Sequence, residues 1–498
     1  MAETPDLKTT VAGTIKWNVI DRVSSQVLYA VTGIVLANVL SKEDFGLVGA
    51  LLVFQAFGIL FVDSGFGSAL LQKKTPTERD WSTVFWFNLT VAGAVYLILF
   101  LCAPLIADIF QGDVRLIPLS KVMFLSFVLG GLGLVQTTRL MKAMNVKQIA
   151  IANIVGLCSS GVVGISLALT GYGPWALVWQ TVTLSAVKTG WLWITGHWLP
   201  KAGFHLESLR HIWRVGLSVF SSSALNTFFL YIYSFVIGAF YNLASLGVYT
   251  QADKWSKMGS ASISQVLTAS FVPLLAKFQD DGDNFRRYVH KINRFTGFVL
   301  FPVMIGVAAV GAPLFHTLFG DKWDDAIPLF QILTIRGVFV VLISLYTNYL
   351  LSLGYARTLF LVEVIKDAMV FVAILATVWG GSVALLVWGQ LGASAVTYLF
   401  VLWIVSRSTG VGKRLMLADL IPFLTAALAM GAVALMARLA LQPAIDRLSM
   451  NLQGLLELIL MIVTGVAVYV ALMRMTKMPE LPEAANYVFG RFRKKIVK

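Results

Sequence analysis

The chain alternates long apolar runs with short polar connections from one end to the other. One run, FGLVGALLVFQAFGILFVDSGFGSALL, covers 45–71 and contains a single charged residue, Asp63. About 20 apolar residues are enough to cross a bilayer as a helix, so the pattern predicts an all-α polytopic membrane protein with about fourteen spans. The predicted spans are 17–40, 45–71, 82–107, 116–140, 147–170, 174–197, 215–240, 246–275, 291–318, 327–353, 358–380, 382–406, 419–440 and 454–474.

The composition supports this class. Of the 498 residues, 58% are hydrophobic and 13% are charged, whereas about a quarter of the residues of a soluble domain are charged. Cys102 and Cys158 fall inside apolar spans, so we interpret them as small packing residues rather than a disulfide. The five histidines are not spaced as metal ligands usually are. The sequence therefore predicts no metal and no cofactor.

We interpret the net charge of +14 as a result of how the protein is oriented in the membrane. With the N-terminus inside, most of the 39 Lys and Arg residues fall in the two termini and the predicted inner loops. This positive-inside distribution predicts that both termini are cytoplasmic. The C-terminal RFRKKIVK is typical of a membrane-surface anchor, so no nucleic-acid partner is expected.

The sequence contains an internal repeat. APLIADIFQGDVRLIPL begins at Ala103, and APLFHTLFGDKWDDAIPL begins at Ala312. EDFGLV around Gly46 matches ASLGVY around Gly247 at a similar offset. Spans 1–6 are therefore predicted to recur as spans 7–12 in the same orientation, as in transporters built from parallel repeats. The predicted organisation is a first six-helix lobe at 1–200, a cytoplasmic linker at 201–214, a second lobe at 215–406, two appended spans at 407–474 and a basic tail at 475–498.

Charged residues inside the spans are the candidate chemistry, because each costs about 3 kcal/mol when it faces lipid. Polar residues follow one helical face of span 1 and one face of span 8, and further polar residues lie in span 7. We expect Arg22 and Lys257 to line a cavity, although Ser, Thr and Asn also join membrane helices to one another. These positions are Asn18, Arg22, Ser25, Tyr29 and Thr32 in span 1, Tyr249, Asp253, Lys254, Lys257, Ser260, Ser264 and Thr268 in span 8, and Ser218, Ser222 and Asn226 in span 7.

The other intramembrane charges have alternative interpretations. Glu363 is spaced to form an ion-pair cluster with Lys366 and Asp367 on span 11. Lys188 and Arg336 are lone cations that could pair with a carboxylate of another span or contact a substrate.

Asp63 also has two compatible interpretations. It lies at a depth similar to that of Arg22, which favours an ion pair. The surrounding DSGFGS favours a break in the helix.

The sequence lacks Walker A, HExxH and GxSxG motifs, and its predicted outer loops are short. A transporter is therefore favoured over an enzyme. The segment LSKEDFGLVGALLVFQAFGILFVDSGFGSALLQKK, at 40–74, closely resembles bacterial polysaccharide-transport (Wzx-type) flippases of the multidrug/oligosaccharidyl-lipid/polysaccharide exporter superfamily, in particular their exopolysaccharide branch. That resemblance implies a MATE-like fold, with two lobes arranged in a V that opens alternately to each side of the bacterial inner membrane.

The resemblance also implies the partners. They are an undecaprenyl-pyrophosphate-linked oligosaccharide, the lipid bilayer and a polysaccharide polymerase complex. Related lipid II flippases carry an Arg-Asp pair in helix 1 and Arg residues in helix 8. Asp21 and Arg22 occupy a comparable place in reversed order, and Lys254 and Lys257 stand where those proteins have Arg.

These arguments select two groups of residues and leave two other functions open. The substrate-binding candidates are Arg22, Lys254, Lys257, Arg336, Lys188, Tyr29, Asn226 and Tyr249. The candidates for conformational change or for proton or sodium coupling are Asp21, Asp63, Asp253 and Glu363. The alternative functions are a cation-coupled multidrug antiporter and a membrane glycan polymerase or transferase.

Overall fold

A computed structural model describes residues 7–63, 65–201, 203–279, 281–445 and 450–483, which are helical almost throughout and contain no β-strand. The α-helices are α1 Leu7–Val39, α2 Lys42–Asp63, α3 Phe66–Gln72, α4 Glu78–Leu101, α5 Ala103–Ile109, α6 Leu116–Met123, α7 Leu125–Lys142, α8 Val146–Leu169, α9 Trp175–Gly196, α10 Leu206–Phe240, α11 Leu243–Ala276, α12 Gly282–Ala309, α13 Gly311–Phe319, α14 Ala326–Ser352, α15 Ala356–Thr377, α16 Val383–Thr409, α17 Lys413–Ala418, α18 Ile421–Ile445 and α19 Met450–Met475.

The helices confirm the predicted all-α membrane fold. Within the described residues, 12 helical segments are long and apolar enough to cross a bilayer. The two remaining predicted spans coincide with α9 and α15, each 22 residues long, which is sufficient length for a span. The charges of α15, at Glu363, Lys366 and Asp367, make it the more polar of these two helices. The chain is thus a multi-pass membrane protein.

The repeated sequence produces repeated local structure. The third span is interrupted at Cys102 between α4 and α5, and the ninth is interrupted at Val310 between α12 and α13. Both residues have nearly the same backbone angles, φ −82° and ψ 2° at Cys102 and φ −84° and ψ 6° at Val310. The repeated Ala-Pro-Leu begins α5 and follows Gly311 at the start of α13, and proline is well tolerated in a first helical turn.

The start of the second span shows the same duplication. The Asp44 carboxylate accepts a hydrogen bond from the Ser41 backbone N–H at 2.8 Å, and the Ser41 hydroxyl accepts one from the Asp44 backbone N–H. At the equivalent place before α11, Asn242 accepts a hydrogen bond from the Ser245 N–H at 2.7 Å. These contacts satisfy backbone donors that a helix start leaves free.

The chain divides into two compact units, Met1–Thr250 and Gln251–Lys498. In the first unit α8 packs on α1 and α9, while α2 packs on α4, α7 and α10. In the second unit α14 packs on α12 and α16, and α18 packs on α12 and α19. The seventh span, α10, therefore packs with the first unit, whereas the repeat predicts that it belongs to the second lobe.

Packing and sequence duplication are separate properties, so the predicted lobe limits and their V arrangement remain predictions. The appended pair of spans is present as α18 and α19. The side chain of Ser218 and the part of the basic tail beyond Glu483 lie outside the described residues.

Candidate transport site

A polar cluster joins α1 to α8 in the first unit. The Asn153 amide donates to both carboxylate oxygens of Asp21, at 3.2 and 3.1 Å, and the Ser25 hydroxyl is 3.4 Å from the same carboxylate. Asn153 is absent from the sequence-based candidates. The signal that could have found it is an asparagine within the mostly apolar fifth span.

Lys188 on α9 lies close to this cluster. The Asp21 charge acts on it electrostatically, yet no ion pair or hydrogen bond of the Lys188 ammonium occurs within the described residues. A Cβ at Gly156 of α8 would lie 3.4 Å from the Lys188 Cβ, so the lysine stem fills the seam between α8 and α9. The structure therefore brings together two predicted site residues that the sequence treats separately.

Arg22 is an exposed cation within the first span. Within the part of the chain that the structure describes, its guanidinium has no acidic partner. Tyr29, two turns further along α1, is 46% exposed, and Asn226 on α10 is also exposed. Tyr249 differs because its side chain is only 2% exposed. Arg22, Tyr29 and Asn226 are thus accessible to a ligand in this structure, and Tyr249 is not.

The two lysines of α11 in the second unit differ in their partners. The Lys257 ammonium lies 2.6 Å from the Asp253 carboxylate, one helical turn away. The Lys254 ammonium lies 5.6 Å from the centre of the Trp255 ring and has no acidic partner among the described residues. The local charge at Lys257 is therefore compensated, and Lys254 contributes the net positive charge of this segment.

Arg336 and Glu363 differ in the same way, since only Glu363 has an ion-pair partner among the described residues. Arg336 Nε donates to the Ser394 hydroxyl at 3.1 Å, which joins α14 to α16 without neutralising the cation. Glu363 forms an ion pair with Lys366 one turn away, which confirms the predicted pairing on the eleventh span. Asp367 is buried beside them, with 7% exposure.

Asp63 ends α2. Gly65 follows in the left-handed region, with φ 69°, and α3 begins at Phe66, so the predicted helix break is confirmed. The predicted ion pair with Arg22 is wrong for this structure, since no such contact joins the two residues in the described chain. The reason lies in the packing: α1 lies along α8, whereas α2 lies along α4, α7 and α10. The Asp63 carboxylate instead lies beside the first turn of α3, 3.4 Å from the position of a Cβ at Gly67.

Among the described residues, a group of potential metal ligands comes together near the end of α13 in the second unit. The side chains of His316, Asp321 and Asp324 place one ligand atom each within 4.8 Å of one another. His316 Nε2 is 3.0 Å from the Asp324 carboxylate, so these two groups already satisfy each other. The two carboxylates are exposed.

Solved structures share this fold. The lipid II flippase MurJ, in an inward closed conformation, superposes with a TM-score of 0.74 at 15% identity, covering 93% of this chain and 99% of that chain. An inward-facing multidrug resistance MATE family transporter of the MOP superfamily superposes with a TM-score of 0.56 at 14% identity, covering 78% and 98%. The protein thus has the MATE-like fold that its sequence predicts.

The family follows from the sequence comparison. The model of the polysaccharide biosynthesis protein family matches residues 35–328, and the chain belongs to this family. The teichuronic acid biosynthesis protein TuaB of Bacillus subtilis (strain 168) is 24% identical over 405 residues, which are 81% of this chain and 83% of that protein. The succinoglycan biosynthesis transport protein ExoT of Rhizobium meliloti (strain 1021) is 26% identical over 417 residues, which are 83% and 82% of the two chains.

Proposed function

We propose that this protein is an alternating-access flippase. Its substrate is an undecaprenyl-pyrophosphate-linked oligosaccharide repeat unit, which it moves from the cytoplasmic to the outer leaflet of the inner membrane during exopolysaccharide or lipopolysaccharide biosynthesis. The family membership supports a role in polysaccharide biosynthesis, and the relative ExoT is a succinoglycan biosynthesis transport protein. The transport lipid carries two negative phosphates, a long isoprenoid chain and sugars, and each part needs a matching surface.

The observation that carries the proposal is the set of intramembrane cations without an acidic ion-pair partner among the described residues. The first unit contributes Arg22 and Lys188, and the second contributes Lys254 and Arg336. A cation about 4 Å from a phosphate oxygen gains roughly 4 kcal/mol at an effective dielectric constant of 20, before desolvation. Uncompensated charge inside a membrane protein marks a substrate pathway, and positive charge matches pyrophosphate.

The remaining parts of the substrate also have candidate contacts. The exposed Tyr29 and Asn226 can hydrogen-bond to sugar hydroxyls, and the Tyr29 ring can stack on a sugar face. An apolar groove of about 350 Å³ lies between α12, α18 and α19, with Gly306, Gly431 and Gly465 on its three walls. Its lining is almost wholly hydrocarbon, which suits a segment of an isoprenoid chain.

The test is a flipping assay in proteoliposomes with a fluorescent lipid-linked oligosaccharide and a membrane-impermeant quencher. We expect the wild-type protein to expose the substrate to the quencher, and Arg22→Ala and Lys254→Ala each to slow flipping by about tenfold or more, because each removes an unpaired cation. Lys366→Ala is the matched control, since Lys366 is already paired with Glu363 on its own helix. Its expected effect is less than about threefold.

Equal rates in all three variants would remove the assigned cations from the site. No flipping of any lipid-linked glycan by the wild-type protein, under any ion gradient, would contradict the proposed function itself. Repeating the assay with proton and sodium gradients also tests whether flipping is coupled to either ion. Asp253 and Glu363 are each paired with a lysine, which leaves Asp21 as the carboxylate that we propose for binding a proton or a sodium ion.

The alternatives make different predictions in the same assay. A multidrug antiporter needs negative charge for cationic drugs, whereas the candidate binding residues here include four cations without an acidic ion-pair partner among the described residues, so we expect no drug efflux. A glycan polymerase or transferase would change glycan length, and we propose that this protein, which is not an enzyme, leaves it unchanged. Orientation with both termini cytoplasmic, and association with a polysaccharide polymerase complex, belong to the same proposal.

A further inference from the structure

Two glycines at equivalent positions of the sequence repeat meet at the start of α2 and α11. Gly46 lies four residues after Lys42, and Gly247 lies four residues after Leu243. All four residues belong to the first compact unit. A Cβ at Gly46 would lie 1.8 Å from the Leu243 carbonyl oxygen, and a Cβ at Gly247 would lie 1.9 Å from the Lys42 carbonyl oxygen. Leu243 is the repeat equivalent of Lys42. Each glycine therefore contacts, in the other copy of the repeat, the residue that lies four positions before the equivalent glycine.

This reciprocity makes the contact locally two-fold symmetric. In a symmetric interface residue i contacts residue j and j contacts i, and here the two copies of the repeat take the place of two subunits. Only glycine permits this approach, because any side chain would begin well inside the van der Waals radius of a backbone oxygen. Helices this close also gain Cα–H···O contacts, which small residues favour in membranes.

Neighbouring residues extend the contact into a closed surface. A Cβ at Gly49, one turn after Gly46, would lie 3.0 Å from the Thr250 hydroxyl oxygen. Gly238 of α10 faces the Phe110 ring, with 2.5 Å between that ring and the position of a Cβ. Leu246 is fully buried between these groups. The first turns of α2 and α11, which the charge distribution predicts to lie at the outer face, are therefore in close contact with each other.

We propose that this reciprocal glycine contact is a latch that closes the outer side of the protein. It joins corresponding helices of the two repeat copies by backbone alone, so it can form and separate without rearranging side chains. Release of substrate to the outer leaflet requires the latch to open. The transport consequence rests on the proposed function, while the closure and opening of the latch do not.

The test measures the latch directly. Spin labels are placed on Glu43→Cys and Ala244→Cys, in a background where Cys102 and Cys158 are replaced by alanine, and the distance between the labels is measured by pulsed electron resonance. In detergent and in liposomes we expect a short distance in the otherwise unchanged protein. Gly46→Ala and Gly247→Ala should each shift the distribution to longer distances, and to a similar extent, because the two clashes are equivalent.

Two further variants grade the effect. Gly49→Ala meets a threonine hydroxyl that can rotate away, so a smaller shift is expected. Gly93→Ala on α4 is the matched control, because a Cβ there has nothing within 4 Å, and it should leave the distribution unchanged. In the flipping assay Gly46→Ala should reduce the rate by about tenfold or more, since a protein biased to one state completes few cycles.

Unchanged distances in both Gly46→Ala and Gly247→Ala would overturn the latch, and so would a shift in only one of them. If neither variant folds, Gly49→Ala decides: a shift that Gly93→Ala lacks supports the latch, and no shift overturns it. A clear shift in a protein that flips no lipid-linked glycan would keep the latch and reject the proposed function. The two hypotheses therefore fail separately.

Discussion

The second span, α2 with α3, and the eighth span, α11, occupy equivalent positions in the repeat but differ in almost everything beyond their first turns. Both begin with a polar cap and both carry a close-contact glycine. From there α2 is largely buried and breaks at Gly65, whereas α11 runs unbroken to Ala276 and buries few of its residues. The two copies of the repeat therefore share the glycine contact at the start of this span and differ in the remainder of it.

This difference separates structural polarity from polarity that serves a ligand. In the buried α2, the Gln55 amide is bonded to Ser126 across the helix interface, at 3.3 Å. In the less buried α11, Asp253, Lys254 and Lys257 fall within two turns, and one of the two lysines has no acidic partner among the described residues. In α2 the polar group joins the helix to its neighbour, whereas in α11 one cation is left without an acidic partner among the described residues, although the helix around it is partly covered.

Among the substitutions that test this comparison, Gly65→Ala should have the largest effect on stability, because it places a side chain at the helix break that distinguishes α2 from α11. The added Cβ would lie 2.4 Å from the Gly216 carbonyl oxygen of α10, on a backbone with φ 69°. The left-handed strain and the overpacking together should lower the free energy of unfolding by about 3 kcal/mol. Thermal unfolding monitored by a thiol-reactive dye, or by loss of monodispersity, measures this.

Val266, the repeat equivalent of Gly65 in α11, supplies the control. It lies within a continuous helix and is 66% exposed. Val266→Ala should change the free energy of unfolding by less than about 0.5 kcal/mol. If the two substitutions destabilise the protein equally, the break in α2 is not a specific structural requirement.

An intermediate effect is expected from separating the ion pair on α11. Asp253→Ala leaves Lys257 without its carboxylate, and Lys257→Ala leaves Asp253 without its ammonium, so each single variant should lose about 1 kcal/mol of stability. The double variant removes both charges and should recover about half of that loss or more. Unfolding temperatures of the four proteins give the coupling directly.

The same four proteins sharpen the contrast with Lys254 in the flipping assay. The double variant keeps the unpaired Lys254 and should flip substrate within about threefold of the wild-type rate. A double variant as slow as Lys254→Ala would show that the paired lysine contacts substrate after all, as the polar face of the eighth span predicts.

The sequence predicts the features of this molecule that depend on one helix at a time. Apolar length places each span, DSGFGS predicts the break at Gly65, and the spacing of Glu363 and Lys366 predicts their pairing. The four-residue spacing of Asp253 and Lys257 carries the same signal, although the long polar face favours a cavity. Helical periodicity therefore determines which residues share a face.

Helical periodicity does not predict contacts between helices. Asp21 is bonded by Asn153 because α1 lies along α8, and Arg22 does not reach Asp63 because α1 and α2, although adjacent in sequence, pack on different neighbours. Similar depth in the membrane makes an ion pair geometrically reasonable, but it does not determine which helices are neighbours. The repeat is the one long-range signal in the sequence, and it correctly relates Gly46 to Gly247 without predicting that they touch.

The smallest effect is expected from Asp63→Asn, at the charged residue that ends α2. Asparagine has the same shape and also tolerates a helix end, so the break should persist and stability should change by less than about 1 kcal/mol. Because Asp63 forms no ion pair with Arg22 in the described structure, we expect flipping within about twofold of the wild-type rate. The rate should follow the wild-type pH profile from about pH 5 to 8. Asp21→Asn, which alters a carboxylate bonded to Asn153, is the comparison variant. A pH profile flattened by Asp63→Asn but not by Asp21→Asn would assign proton coupling to the helix break, and α2 would then differ from α11 in its chemistry as well as in its packing.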